Sequence, residues 1–249
     1  MQQFYHPGSM LSICKKELHQ FFSSLTGYLA IVLFLLVNGL VVFVLKDSNI
    51  FDFGYASLDR FFELAPWVLI FLVPAITMRS LSEEIKSGTL EVLRTRPLSC
   101  RQIVGGKYLS ILVVLLFAIL PTLLYVFTIH HLSASGNIDS GGITGSYIGL
   151  FMLGAVFAAI SLCCSGYTAN AVVAFLISAF VCLLLYTGFH TLSKLPFFRG
   201  GSGYFVEILG IDFHYNSMSR GLLDTRDVVY FISIIIVALF ITEKKLIQR

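Results

Sequence analysis

Residues 109–129 read LSILVVLLFAILPTLLYVFTI, a run without a single Asp, Glu, Lys or Arg. About 20 apolar residues in a helix cross a hydrocarbon core about 30 Å thick, and a helix satisfies its own backbone polar groups there. The stretch is therefore a membrane span. Outward from it, comparable runs occupy 28–45, 64–78, 143–164, 169–189 and 228–242. The chain reads as an all-α integral membrane protein with about six transmembrane helices. Composition agrees: 57% of the 249 residues are hydrophobic, 12% are charged, and the mean hydropathy is +0.85. A water-facing domain carries about 25% charged residues, and half of that cannot coat a surface of this size. The runs at 64–78 and 228–242 are short, and residues 58–63 and 243–246 are expected to extend them as helix beyond the hydrocarbon.

The basic residues orient the spans. Lys15, Lys16, Arg79, Lys86, Arg94, Arg96, Arg101, Lys107, Lys244, Lys245 and Arg249 fall on one side, and Lys46, Arg60, Lys194, Arg199, Arg220 and Arg226 on the other. Positive charge accumulates on the cytoplasmic side, so both termini are expected there. No basic stripe is interleaved with aromatics, and no nucleic acid partner is expected. The five cysteines, Cys14, Cys100, Cys163, Cys164 and Cys182, are odd in number and include no C-x-x-C spacing. They read as small buried hydrophobes rather than a disulfide framework.

Ahead of the first span lies an amphipathic stretch. Leu11, Cys14, Leu18, Phe21, Phe22 and Leu25 share one helical face, and Ser12, Lys15, Lys16, His19, Gln20 and Ser23 the other. Lysines beside an apolar face suit the headgroup region, so 10–26 is expected to be an interfacial helix, with Gly27 turning the chain into the first span. Residues 1–9 carry no such pattern and read as an extension ahead of Met10.

The segment 79–108 is the longest loop on the cytoplasmic side. It reads as a short helix, a break and the start of the third span. Ser80 with Glu83, and Ser99 with Gln102, have capping-box spacing, and Pro97 stops the first helix. Glu84, Gly88 and Glu91 stand at i, i+4 and i+7, on one helical face. A glycine there costs roughly 1 kcal/mol against alanine, which makes sense where another backbone comes close. The bland alternative is a solvated charged loop. On the opposite side, 190–227 is too long for a turn. It holds Phe197, Phe198, Tyr204, Phe205, Phe213 and Tyr215 among glycines, a composition that suits short helices dipping into the outer leaflet. Within it Arg220 and Asp224 stand four apart and could pair on one helix face; a local cap and ion pair is the bland reading of this region.

Several chemistries are missing. The six apolar cores contain no Asp, Glu, Lys or Arg, the groups that mark ion pathways inside membranes. Asn38 and Asn170 read as packing or capping residues. His130 and His131 lack the further ligands a metal needs. Gly105-Gly106-Lys107 is no phosphate loop: Arg101 replaces its first glycine and Tyr108 its Ser/Thr, and Lys107 reads as a snorkelling anchor. Gly145, Gly149, Ala155, Ala159, Ser161 and Ser165 give small-x-x-x-small spacing for close helix packing, and Pro74 and Pro121 are candidate kinks. A membrane chain with no energy source of its own is expected to receive energy from another subunit through its cytoplasmic loop.

The pattern Glu84-x-x-x-Gly88-Thr89-x-Glu91-x-Leu93-x-x-x-Pro97-x-Ser99, followed by Gly106-Lys107, resembles the loop after the second span of ABC-2 type transporter permeases. In that family the segment includes a coupling helix that docks on a separate ATPase. The resemblance implies that 10–26 is the family's elbow helix, 79–108 its coupling loop and 190–227 its re-entrant loop, within one transmembrane domain spanning 10–249. It assigns ATPase coupling to Glu84, Gly88, Thr89, Glu91, Leu93 and Pro97. A second stretch, His214-x-x-Ser217-x-x-Arg220-Gly221-x-x-Asp224-x-x-Asp227-x-x-Tyr230-Phe231, is similar to the gliding-motility-associated permeases and to those linked to nitrous-oxide-reductase maturation. It suggests a gate or partner contact at His214, Arg220, Asp224 and Asp227.

What the resemblance implies is a permease subunit of a gliding-motility-associated export complex in the bacterial inner membrane, not itself an enzyme. Two ATPase subunits would supply ATP hydrolysis and hold the ATP and magnesium, and this chain would bind no cofactor or metal. A related second permease with a large extracytoplasmic domain, and membrane lipid, would complete the partners. The alternatives are a non-transporting scaffold that transmits force across the membrane, and a permease serving nitrous-oxide-reductase or copper maturation.

Overall fold

The structure is a computed structural model that describes residues 7–44, 58–89, 98–132, 139–196 and 202–248. Among the described residues it is all helix. Helix α1 (Pro7–Phe22) meets α2 (Leu25–Phe43) at a bend of 71°. The turn falls at Ser23 and Ser24, ahead of the expected Gly27. Ser24 caps α2, its hydroxyl accepting from the Gly27 amide at 3.4 Å. Gly27 permits the bend differently: a Cβ there would lie 2.5 Å from the Phe21 carbonyl oxygen.

Helix α3 (Asp59–Lys86) runs unbroken for 28 residues, Pro66 and Pro74 included. The segment 79–86 is thus the continuation of the second span and not a separate short helix. Ser80 and Glu83 lie inside it and make no capping box. Asp59 in its first turn and Lys86 in its last complement the helix dipole. Helix α4 (Cys100–Ile119) opens on the expected capping box, with Ser99 and Gln102 bonding each other's backbone. Pro121 converts the next turn to a 3-10 segment, Leu120–Thr122, before α5 (Leu123–Leu132) finishes that span.

Asp139 caps α6 (Ser140–Tyr167), accepting from the Gly142 amide at 2.9 Å. Asn170 caps α7 (Ala171–Ser193) through Val172, the capping role expected of it. Two short helices follow, α8 (Ser202–Glu207) and α9 (Ile211–Met218), and then α10 (Thr225–Gln248). Among the described residues five helical segments are long and apolar enough to cross a membrane, or six if the bent α1–α2 pair counts as one span.

Helix α6 is the central post. Its most apolar window is 72% buried, against 28% for α7 and 22% for α10, so the outer helices turn much of their surface to lipid or to a partner. Small residues let the neighbours close on α6: a Cβ on Gly154 would meet Leu115 Cδ2 at 2.6 Å, and one on Gly149 would meet Met218 Cβ at 2.9 Å. The small-residue stripe is used inside the subunit. Ser165 does more than pack. Its hydroxyl accepts from the amides of Leu81 and Ser82 (3.2 and 3.1 Å) and donates to the Met78 carbonyl at 3.0 Å, inserting into the hydrogen-bond ladder of α3.

Candidate functional site

At the end of the bundle where α1, the last turns of α3 and the first turns of α4 meet, Lys107 is buried, with 1% of its side chain exposed. Its ammonium has three protons and no acceptor, and the structure supplies three acceptors. Nζ lies 2.8 Å from Glu17 Oε1, 2.9 Å from Glu84 Oε1 and 2.7 Å from the Ser80 carbonyl oxygen. Lys16 adds an outer contact to Glu84 at 3.6 Å. Stripping ions of water costs several kcal/mol each, repaid only when geometry satisfies every proton, as it does here.

Glycines bring the partners together. A Cβ on Gly106 would lie 2.9 Å from Ile13 side-chain atoms and from the Met10 carbonyl oxygen, and one on Gly105 would lie 2.9 Å from Met10 Cε. Without side chains at 105 and 106, α1 lies flat on α4 and carries Glu17 onto Lys107. Lys107 is therefore no snorkelling anchor. Its neighbouring glycines were the sequence signal for a close helix contact. The inward face of α1 also differs from expectation: Ile13 is buried and Leu11 is exposed.

The expected coupling residues separate. Glu84 turns inward, its Oε1 2.9 Å from the Lys107 ammonium, because a carboxylate one turn from the end of α3 lies within reach of that buried charge. Gly88 does not sit on a helical face with Glu84. It follows the Ser87 C-cap with φ +70, the left-handed conformation that ends helices. A Cβ there would meet nothing within 4 Å among the described residues, so what they show to require glycine is the conformation. Thr89 is exposed, and its hydroxyl contacts that of Ser87 at 2.9 Å. Glu91, Leu93 and Pro97 lie outside the described residues.

At the opposite end, His214 Nδ1 lies 2.6 Å from Asp227 Oδ1, Nε2 lies 2.8 Å from the Ile208 carbonyl oxygen, and the ring stacks on Tyr230 at 3.9 Å. This buried pair ties α9 to α10. The Arg220–Asp224 pair expected from the sequence does not form. The chain between α9 and α10 is not helical there, and Asp224 caps α10 instead, accepting from the Arg226 amide at 3.1 Å. Arg220 lines a cavity of about 710 Å³ with Asp59, Glu63, Trp67, His190 and Asp212. The Tyr215 hydroxyl, buried in α9, donates to the Phe62 carbonyl at 2.7 Å, which draws the short helix in among the spans.

No group of three or more His, Cys, Asp or Glu among the described residues could hold a metal ion. Residues 11–195 match the ABC-2 family transporter proteins. The chain belongs to this ABC-2 family. No curated protein matches it. As an ABC-2 permease it is a multi-pass membrane subunit that works with ABC ATPase subunits. Membrane subunits of the family have no ATPase activity of their own, and no cofactor is expected in them. The family match spans every residue of the Lys107 cluster and stops ahead of α8, so it leaves out the His214–Asp227 pair.

Proposed function

We propose that this ABC-2 permease receives the work of ATP hydrolysis at the tip beyond α3 and passes it to α1, α3 and α4 as one block. The observation that carries this reading is the Lys107 cluster, which joins these three helices directly behind the Ser87–Thr89 tip. A push on the 79–108 loop meets a helix end locked to its neighbours, so the spans move as rigid bodies. Gly88 and Thr89 stand at the exposed tip, and Glu91, Leu93 and Pro97 continue it in sequence as the docking segment. Glu84 takes the role of a strut inside the permease. Orientation follows from the basic residues at this end, Lys15, Lys16, Arg79, Lys86, Lys244 and Lys245 among them. It supports a cytoplasmic tip and cytoplasmic termini, and the resemblance of the loop to ABC-2 permeases supports a bacterial inner membrane. One transmembrane domain over 10–249 then has its elbow at 10–26 and its re-entrant loop at 190–227.

The complex pairs two ATPase subunits with this chain and a related permease that bears a large extracytoplasmic domain. The stretch from His214 to Phe231 supports a gliding-motility-associated system, and His214, Arg220, Asp224 and Asp227 form the end that faces the outer partner. The experiment is co-expression with ATPase and permease partners, followed by ATP turnover of purified wild-type and Glu91→Arg complexes. Loss of assembly or turnover in a folded variant supports docking at this segment. An unchanged complex and rate sinks it. Stable, active complexes lacking a second permease sink the heteromeric arrangement.

A further inference from the structure

Helix α3 is weakened just before it leaves the bundle for the exposed tip. Pro74 has no N–H to give the Ile70 carbonyl. Thr77 and Ser82 turn their hydroxyls back onto the carbonyls of Val73 and Met78, a habit that loosens and bends helices. The direction of the last two turns is therefore set from outside the helix. Lys107 of α4 holds the Ser80 carbonyl, and Ser165 of α6 holds the turn around it.

Ser165 uses every bond a serine has. The hydroxyl offers one donor and two lone pairs. Its lone pairs take the amides of Leu81 and Ser82, and its proton goes to the Met78 carbonyl. Ser165, Leu81 and Ser82 are all 0% exposed, so water cannot stand in for the hydroxyl. A second serine of the same helix makes the matching contact at the other end. Ser146 donates to the carbonyl of Ser219, the C-cap of α9, at 2.7 Å, and Gly145 and Gly149 close on Gly221 and Met218. The two serines stand roughly 28 Å apart along α6 at the usual rise of a helix. The helix between them holds no proline and is the most buried of the spans.

We propose that Ser165 is a positioning residue for energy coupling. Its hydroxyl fastens the tip-bearing end of α3 to α6, and α6 carries a displacement of the tip as a rod to Ser219 and α9. The inference rests on the coupling reading of the 79–108 loop and adds to it the way out of the α1–α3–α4 block. Ser165→Ala removes one oxygen and leaves the packing nearly unchanged. The amides of Leu81 and Ser82 then have the helical carbonyls of Thr77 and Met78 to turn to. The chain folds, but the tip is no longer held in register on α6.

Coupling between distant sites is shown only when both ends are read. The test is hydrogen exchange by mass spectrometry on the full chain in complex with its ATPase subunits, nucleotide-free and trapped with ATP and vanadate. Peptides covering 79–86 report the tip, and peptides covering 211–218 report α9. In the wild type both are expected to change their exchange on trapping. In Ser165→Ala, with Tm near the wild-type value, the tip still responds and the nucleotide-dependent difference at α9 is lost. Ser165→Thr keeps the hydroxyl and is expected to keep the difference; its loss in a stably folded Ser165→Thr overturns the proposal. Should the alanine variant not accumulate, Ser165→Cys has a similar size and a poor hydrogen-bonding group and gives the same readout. A difference at α9 that survives in Ser165→Ala overturns the role of Ser165 alone, as does a wild type that responds at the tip and not at α9. Exchange at α9 raised equally in both nucleotide states marks a merely structural serine and also overturns it. A wild-type tip that ignores the nucleotide sinks the coupling reading, and this inference with it.

Discussion

The two ends of the bundle are held together by different physics. At the α1 end a single ammonium joins helices that are distant in sequence: Lys107 reaches Glu17 across 90 residues and Ser80 across 27. At the α9 end the main devices are backbone contact and one His–Asp pair. A Cβ on Gly221 would lie 2.5 Å from Gly142 Cα, and the Ser146 hydroxyl donates to the Ser219 carbonyl at 2.7 Å. Charge can hold helix ends whose connecting loop must meet another protein, because its direction and reach tolerate small shifts. Glycine against glycine tolerates none. The comparison sets an end locked through one shared cation against a stiffer end locked by backbone contact.

Replacing the shared ammonium should break the first end most severely. Lys107→Met leaves Glu17 and Glu84 buried without their cation, and a cost of about 3–5 kcal/mol is expected. Thermal unfolding of the purified chain in detergent should show it as a large drop in Tm or as failure to accumulate. A near-wild-type Tm would mean that the cluster is solvated and holds nothing.

The two left-handed glycines give the sharper contrast. Gly221 (φ +80) and Gly88 (φ +70) share a conformation but not surroundings. Gly221→Ala adds a backbone clash to the conformational penalty and should cost about 3 kcal/mol. Gly88→Ala carries the conformational penalty alone, about 1 kcal/mol. Equal effects in the same unfolding assay would deny that the α9 end is the stiffer. His214→Phe should fall between them at about 2 kcal/mol, because it strands Asp227, whose Oδ2 already lacks a partner among the described residues. Tryptophan fluorescence would add a local readout, since Trp67 packs on Tyr186 near α9. The smallest effect belongs to Arg101→Ala. That pair with Glu243 lies at 2.8 Å, but Arg101 is 74% exposed, and surface pairs contribute about 0.2–1 kcal/mol. A loss of several kcal/mol there would show that the α1 end relies on its surface charges as much as on Lys107.

Local devices were legible in the sequence. Asn170 as a cap, the Ser99–Gln102 box, the helical extensions of the short spans and the short helices before the last span all rest on neighbours within a few residues. Several of the errors share one cause, which is that a partner distant in sequence took a residue away from its local role, whereas Asp224 was taken by a local cap. Ser80 and Glu83 have capping-box spacing but stand inside a helix that tertiary packing continues. Arg220 and Asp224 have pairing distance on a helix that does not form, while His214 finds Asp227 thirteen positions away. Glu84 reads as a surface acceptor until α4 brings Lys107 beneath it.

By itself the sequence determined that the chain crosses a membrane, roughly how often, and where the helices start. Apolar run length and capping chemistry are properties of contiguous residues, and lipid leaves a spanning chain little choice but helix. Tertiary structure alone decided which charges are buried and which glycines are needed for contact. Those depend on which faces meet, and the pairing of α1 with α4 across Gly105 and Gly106 is set by the fit of one surface to another, not by any pattern within either helix.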